Sequence, residues 1–269
     1  MLFLLSPAKT LDYETPVPAT LLKKATDPVY AERAAELIAV LRRKSPRQLA
    51  ALMGLSDKLA ALNAARYAAW QPQTTPDNSK PAVLAFAGDV YDGLQANTLK
   101  AADLAWAQQH VVILSGLYGA LRPLDRLQPY RLEMGTTLQT RRGKDLYAYW
   151  GDTLAEDLNR RQADEAAPLL VNLASVEYAR AALRKPLRAS VIDCVFEEGR
   201  DGGHKVISFF AKRARGLMLR HAIAKRARSP QALEDFSAAG YTLDRAASTA
   251  ARLVFRRPAG AGRLQPAPE

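Results

Sequence analysis

Polar and charged side chains gather where apolar runs end. MLFLL (1–5) leads into Ser6, Lys9 and Thr10, and PAVLAFAG (81–88) leads into Asp89 and Tyr91. VVIL (111–114) opens onto Ser115, Tyr118, Arg122, Asp125, Arg131 and Glu133, and APLLVNLAS (167–175) carries Asn172 and Ser175 and runs on to Glu177 and Tyr178. If these runs are parallel strands of an α/β sheet, their carboxyl ends share one side, where such sheets bind ligands. The chemistry available there is that of an anion site with acid–base groups. Lys9 or Arg131 would clamp an anion, Asp89 or Glu133 would move a proton, and Tyr118 or Tyr178 would donate one. The same charges suit a plainer role, in which Arg122–Asp125 and Arg131–Glu133 are ion pairs locking a long loop.

A second constellation is local. LMGLSDKLA (52–60) fits the pattern hydrophobic-x-Gly-hydrophobic-x-x-Lys-x-Ala through Leu52, Gly54, Leu55, Lys58 and Ala60. A tight glycine turn presents backbone N–H groups at a helix N-terminus, and Lys58 adds a charge. Such an end suits a phosphate oxygen and reads no base. Gly54, Ser56 and Lys58 are the candidate contacts. Ser56 stands where a second glycine is usual, and Asp57 brings negative charge close, so an ordinary capped αα-hairpin fits the same residues.

The third is AKRARGLMLRHAIAKRAR (211–228). From Lys205 to Arg228 there are eight Lys and Arg residues and no Asp or Glu. At helical spacing Ala214, Leu217, Met218 and His221 share one face, while Lys212, Arg213, Arg215 and Arg220 spread over the other. The apolar face packs inward and the basic one faces a cleft, where it neutralises phosphates, or solvent. The apolar face lacks Trp and Phe, which disfavours a membrane-surface helix.

Elements must position these groups. Ser45-Pro46-Arg47-Gln48 offers an N-cap, a proline at N1 and a glutamine at N3, and Gly54 offers a left-handed stop. Helices are expected over 32–43, from Ser45 to Gly54, from Ser56 to about Trp70, over 97–109, over 146–163 and over 211–228. Strands are expected at 1–5, 81–88, 110–116, 167–175, 190–198, 205–211 and at RLVFRRP (252–258). The last internal pair would be joined as a hairpin by DGG (201–203). Strands alternating with helices early and a hairpin late predict a mixed α/β sheet in one domain over 1–258, with an inserted helix-hairpin-helix element at about 45–70. Residues 259–269 are expected to be a disordered tail.

The 269-residue chain has a net charge of +11, which favours polyanionic partners. Cys194 is its one cysteine, so no intrachain disulfide or paired-thiol site can form, and His110, His204 and His221 lack metal-ligand spacing. No cofactor and no metal are expected. No apolar run approaches the roughly 18 residues of a membrane span, and the cytoplasm is the expected compartment. SGLYG places its serine before the first glycine and so differs from a nucleophile elbow, and GRDGG lacks a P-loop ending.

SPAKTLDY (6–13), LSDKLAALNAARY (55–67), AGDVYDGL (87–94), LSGLYGALRPLDRLQPYRLEMG (114–135), GKDLYAYWGD (143–152), NLASVEY (172–178), ISFFAKRARGLM (207–218) and GYTLD (240–244) together resemble the YaaA family of bacterial peroxide stress resistance proteins. The resemblance implies a cytosolic α/β protein of unusual fold that binds DNA through a helix-hairpin-helix element and a positively charged cleft. It also implies a role in lowering iron-dependent DNA damage under hydrogen peroxide. Carried onto this sequence, the hairpin is Gly54–Lys58 and the cleft cations are Lys9, Arg122, Arg131, Lys212, Arg213 and Arg215. Two functions follow as expectations. One is a DNA-binding protein, largely indifferent to sequence, that contacts duplex or structured DNA through its backbone. The other is an enzyme acting on a nucleobase, nucleotide or damaged DNA in the strand-end pocket.

Overall fold

LFLL at the start of the chain has no polar position to turn toward water, and such runs make strands buried on both faces. The computed structural model, which describes residues 1–200 and 202–260, places it at the centre of the sheet. The chain opens with β1 (Leu2–Leu5), the short β2 (Thr10–Leu11) and α1 (Ala19–Leu22), followed by α2 (Ala31–Leu41), α3 (Pro46–Met53) and α4 (Asp57–Ala69). A short segment then holds β3 (Lys80–Pro81), α5 (Ala82–Ala85), β4 (Phe86–Ala87) and α6 (Asp89–Leu94). Next come α7 (Ala101–His110), β5 (Val111–Ser115), β6 (Gly119–Leu121) and β7 (Arg126–Leu127). After a loop follow α8 (Leu146–Trp150), α9 (Thr153–Arg161), β8 (Leu169–Leu173) and α10 (Val176–Ala182). The chain closes with β9 (Ser190–Arg200), β10 (Gly203–Lys205), α11 (Ser208–Lys225), α12 (Gln231–Glu234), β11 (Thr242–Leu243) and β12 (Arg252–Arg257).

The main sheet has eight strands in the order β11-β12-β9-β8-β1-β5-β6, with β10 paired to β9. Neighbours from β12 to β5 run parallel, and β6, β10 and β11 are antiparallel additions, so the sheet is mixed as expected. Leu4 of β1 lies opposite Val112 of β5 on one side and Asn172 of β8 on the other. The chain builds outward from β1 to β5 and β6, then returns to add β8, β9 and β12 on the opposite side. The strand order therefore reverses at β1, and a crevice opens beyond the carboxyl ends of β1 and β8.

Three expected elements differ. PAVLAFAG is one helical turn, α5, between the two-residue β3 and β4, because the Ala82 and Val83 N–H groups bond to the carbonyls of Asp125 and Pro123 instead of a sheet ladder. The helix expected over 146–163 breaks at Gly151, whose φ of +50° admits glycine with least strain. KVISFFA is not a strand beyond Lys205. β8 pairs with β9 only as far as Asp193 and β10 only with its far end, Glu198 to Arg200, so on the side away from β12 Cys194 to Glu197 take no strand partner among the described residues. Ser208 onward coils into α11, three residues earlier than expected.

The paired helices α3 and α4 form as the caps predict. Ser45 Oγ accepts the Gln48 N–H at 3.3 Å while the Gln48 side chain accepts the Ser45 N–H at 2.8 Å. Gly54 ends α3 at φ +63°. The expectations for Asp201 in the glycine turn and for the tail at 261–269 lie outside the described residues.

Candidate functional site

The crevice at the strand reversal is a cleft of about 370 Å³. Its walls come from distant parts of the chain: Ser6–Thr10 after β1, Asp89 opening α6, Tyr130–Glu133 from the loop after β7, Ser175–Tyr178 after β8, and Lys212 and Arg215 of α11. The two central strand ends are fastened together, since Ser6 Oγ accepts the Ser175 N–H at 2.8 Å and lies 3.4 Å from Ser175 Oγ. Tyr91 braces the same turn from below, donating its hydroxyl to the Ser6 carbonyl at 3.0 Å. Opposite them, α6 and α11 press together at two glycines. A Cβ on Gly216 would lie 1.8 Å from the Val90 carbonyl oxygen, and one on Gly93 2.2 Å from that of Arg213. This contact sets Asp89 beside Lys212 and Arg215 on one wall.

The cations of the cleft fall into two kinds. Glu133 bridges Lys9 (2.9 Å) and Arg131 (3.1 Å), so each of these cations has a carboxylate partner and the trio keeps one net positive charge. Lys212 and Arg215 have no carboxylate within ion-pair distance among the described residues, and the buried Nε of Arg215 has no hydrogen-bond partner. Burial of the Arg215 guanidinium lowers its affinity for the proton, so its charge is held in an unfavourable place. Glu177 accepts the Gly135 N–H at 2.9 Å, and Asp89 makes no ion pair among the described residues. The floor is phenolic. Tyr130 meets Ser115 Oγ at 2.6 Å, and burial raises the Tyr130 and Tyr178 hydroxyls, so both keep their protons and act as neutral donors.

Residues 1–247 match the family described as peroxide stress protein YaaA. A UPF0246 protein of Leptothrix cholodnii is 61% identical over 257 residues, covering 96% of this chain and 98% of the relative. UPF0246 proteins of Delftia acidovorans and Bordetella avium are 60% identical over 259 residues and 59% over 257, with 98% and 99% of their lengths covered. The chain belongs to the YaaA family. In this YaaA-family protein the peroxide-stress class inferred from the quoted segments is therefore supported independently of the cleft.

Sequence reasoning located part of that cleft. Ser6, Lys9, Thr10, Asp89, Arg131, Glu133, Ser175 and Tyr178 line it, together with Lys212 and Arg215 from the basic helix. Other candidates are elsewhere. Arg122 and Asp125 pair at 3.0 Å away from the cleft, and Thr26 donates to the fully buried Asp125 at 2.6 Å. Tyr118 accepts from Trp70 Nε1 at 2.9 Å inside the core, with burial raising its phenol to about 12. Ser115 lies beneath Tyr130, and Asn172 Nδ2 donates to Asp193 at 2.8 Å. Arg213 lies outside the cleft lining, and Arg220 ties down the Leu94 and Gln95 carbonyls and Thr98. Tyr130 escaped the reading, because nothing local distinguishes a floor tyrosine from the others of its loop. Cys194 lies next to Arg215, but burial pushes its thiol up to about 12, so it is a poor nucleophile.

The hairpin stands apart from the cleft. The Tyr67 hydroxyl of α4 donates to the Arg131 carbonyl, which anchors the far end of α4 to the cleft loop. Ser56 lies eleven residues earlier, about 16 Å along the helix at 1.5 Å per residue. Gly54, Ser56 and Lys58 are exposed, and a Cβ on Gly54 would meet nothing within 4 Å. Ser56 Oγ accepts the Leu59 N–H, leaving the first-turn N–H groups of α4 open to solvent or a ligand. Among the described residues no three His, Cys, Asp or Glu side chains gather to hold a metal, and no helix is long and apolar enough to cross a membrane.

Proposed function

We propose that this YaaA-family protein binds DNA in the cytoplasm during peroxide stress and so limits iron-dependent damage to it. The observation that carries this reading is the pair Lys212 and Arg215, which line the cleft without an ion-pair partner among the described residues, while Lys9 and Arg131, the other cations lining it, share Glu133. A partly buried, unpaired guanidinium is unfavourable alone and is relieved by a bound anion. The net charge of +11 supplies long-range attraction to a polyanion. The hairpin adds phosphate contacts through Lys58 and the open amides of α4, acting as a helix-hairpin-helix module. Contacts of this kind grip the backbone and leave the bases unread.

Fluorescence anisotropy with duplexes of unrelated sequence, over a salt series, tests the reading. Affinity should fall linearly on logarithmic axes as salt rises. Lys212→Glu should weaken every duplex alike and reduce the slope by about one or more. Affinity unchanged by that reversal would refute binding at the cleft.

A second reading is favoured by the enclosure of the cleft and by the hydroxyls and carboxylates that meet in it. Ser6, Thr10, Ser175, Asp89 and Glu177 converge on a volume suited to a small ligand, so the site is equipped to process a nucleotide or a damaged DNA end. Asp89 would act as the base and neutral Tyr178 as the proton donor. Product analysis after incubation with intact and lesion-bearing DNA decides it; recovery of every substrate unaltered leaves binding as the function.

A further inference from the structure

The dimensions of the cleft limit what it can hold. A duplex whose major groove alone is about 12 Å wide can meet the exposed Lys212 only at the mouth and cannot enter some 370 Å³, whereas ligand sites of roughly 300–1,000 Å³ take one small molecule. The floor is closed by Ser6, Tyr130 and Tyr178, all buried. An internal phosphodiester has chain on both sides and needs a way in and a way out. A closed floor admits only a group that ends.

The first turns of α11 are graded from the floor outward. Arg215 is deepest, beside Cys194 of β9, and lacks a partner. Lys212, one turn earlier, is exposed on the same wall. Phe209, one turn earlier again, is 48% exposed, an unusual place for an aromatic ring. Residues three apart are helix neighbours, so Lys212 adjoins both Arg215 and Phe209, and Phe209 lies outside the cleft lining, about 120° around the helix from Arg215. The Phe209 ring is braced, because Phe210 meets it edge-on at 5.5 Å. Phe210 in turn lies 4.5 Å from the guanidinium of Arg257, which is buried in an ion pair with Glu198. The exposed start of α11 is thus aromatic, and the cleft wall that follows it along the helix is cationic.

We infer that the cleft receives a nucleoside carrying a terminal phosphate monoester, with the phosphate on Arg215, Lys212 along the sugar-phosphate, and the base stacked on Phe209. This deepens the DNA reading and rests on it. A monoester has three terminal oxygens and about one and a half to two negative charges at neutral pH, against one for a diester, which suits a deep unpaired guanidinium. Aromatic stacking holds any base, since every base has a π face. The ligand is either the phosphorylated end of a nucleic-acid strand or a free mononucleotide, which share this chemistry.

The test compares short single strands ending in hydroxyl, 5′-phosphate or 3′-phosphate, by anisotropy with the full chain. Covalently closed circular DNA serves as an endless control, and a nucleoside monophosphate and inorganic phosphate serve as competitors. At least one phosphorylated end should bind on the order of tenfold tighter than hydroxyl ends, the range of a hydrogen bond to a charged group. Arg215→Gln should abolish that margin, and Lys212→Gln, at an exposed position that does not threaten folding, should reduce it. Phe209→Ala should weaken phosphorylated and hydroxyl strands alike by about fivefold or more, the range of base–aromatic stacking. Competition by the monophosphate as strong as by the phosphorylated strand assigns the site to free nucleotides; much weaker competition assigns it to strand ends. Equal affinity for phosphate and hydroxyl ends overturns the inference, as does inorganic phosphate competing as well as the monophosphate. If circular DNA binds but ends are not distinguished, the backbone reading stands and this one fails; if nothing binds, both fail.

Discussion

The α3–α4 hairpin and the strand-end cleft are the two candidate contacts of this protein, and they are built in opposite ways. The hairpin is a local object. Its cap, its stop and its exposed lysine lie within fourteen residues, Ser45 to Lys58, and each is satisfied by a neighbour in sequence. The cleft draws walls from residue 6 to residue 215, and its chemistry exists only because β1 and β8 are adjacent and α6 packs on α11. Glycine shows the difference most directly. Gly54 is needed for its positive φ and has empty space around it, whereas Gly216 is needed because a Cβ would overlap the Val90 carbonyl. Local motifs tolerate change at the scale of conformational preference, and assembled sites fail at the scale of packing.

That contrast can be broken experimentally, beginning with the largest effect. Gly216→Ala should cost about 3 kcal/mol or more, the upper range for overpacking, and should take ligand binding at the cleft with it. Gly54→Ala should cost only about 1–2 kcal/mol, the penalty of a left-handed residue with a side chain. Urea denaturation of both variants measures the gap, and equal losses would erase the distinction. Charge reversal sharpens it next. Lys212→Glu should weaken DNA binding about tenfold, and Lys58→Glu about threefold, because the exposed hairpin contact is better screened. A titration in which Lys58→Glu does more harm would move the principal contact to the hairpin.

Smaller effects follow. Ser45→Ala removes the capping box and should cost about 1 kcal/mol in denaturation, with no change in affinity at the cleft. The smallest concerns pH. In the turn after β2 the Asp12 carboxyl accepts the Thr15 and Glu14 N–H groups at 2.9 Å, and these bonds hold it at about 2, below its usual 3.8. Because the folded value is the lower one, the stability Asp12 contributes is present above pH 4 and is lost as pH falls toward 2. Thermal melts from pH 5 to 2 should show Asp12→Asn losing less stability over that interval than the parent; parallel curves would mean that the turn does not depend on this carboxylate.

Legibility in the sequence followed the same division. The capping box at Ser45, the stop at Gly54 and the buried run of β1 were all readable, because each depends on residues close in the chain. KVISFFA misled because its strand-like composition runs past Lys205, where pairing with β9 ends, and does not reveal that Ser208 onward coils into α11. The loop at 114–135 divided in a way no local rule could give. Arg131 and Glu133 reached the cleft, while Arg122 and Asp125 closed on each other beneath Thr26. A strand over 205–211 includes Phe209, so its place one turn before Lys212 shows only once the helix begins at Ser208.

The sequence by itself determined the family, the mixed α/β class, the capped hairpin and the polar character of the strand ends, since these are written in ordered segments, in periodicity and in short-range hydrogen bonding. Tertiary structure alone decided which cations remain unpaired. Arg122–Asp125 and Arg131–Glu133 pair within three residues, whereas whether Lys212 or Arg215 meets a carboxylate depends on how α11 sits against segments such as α6, more than a hundred residues away. That placement follows from strand order and from the close approach of two glycines, which composition and spacing do not encode.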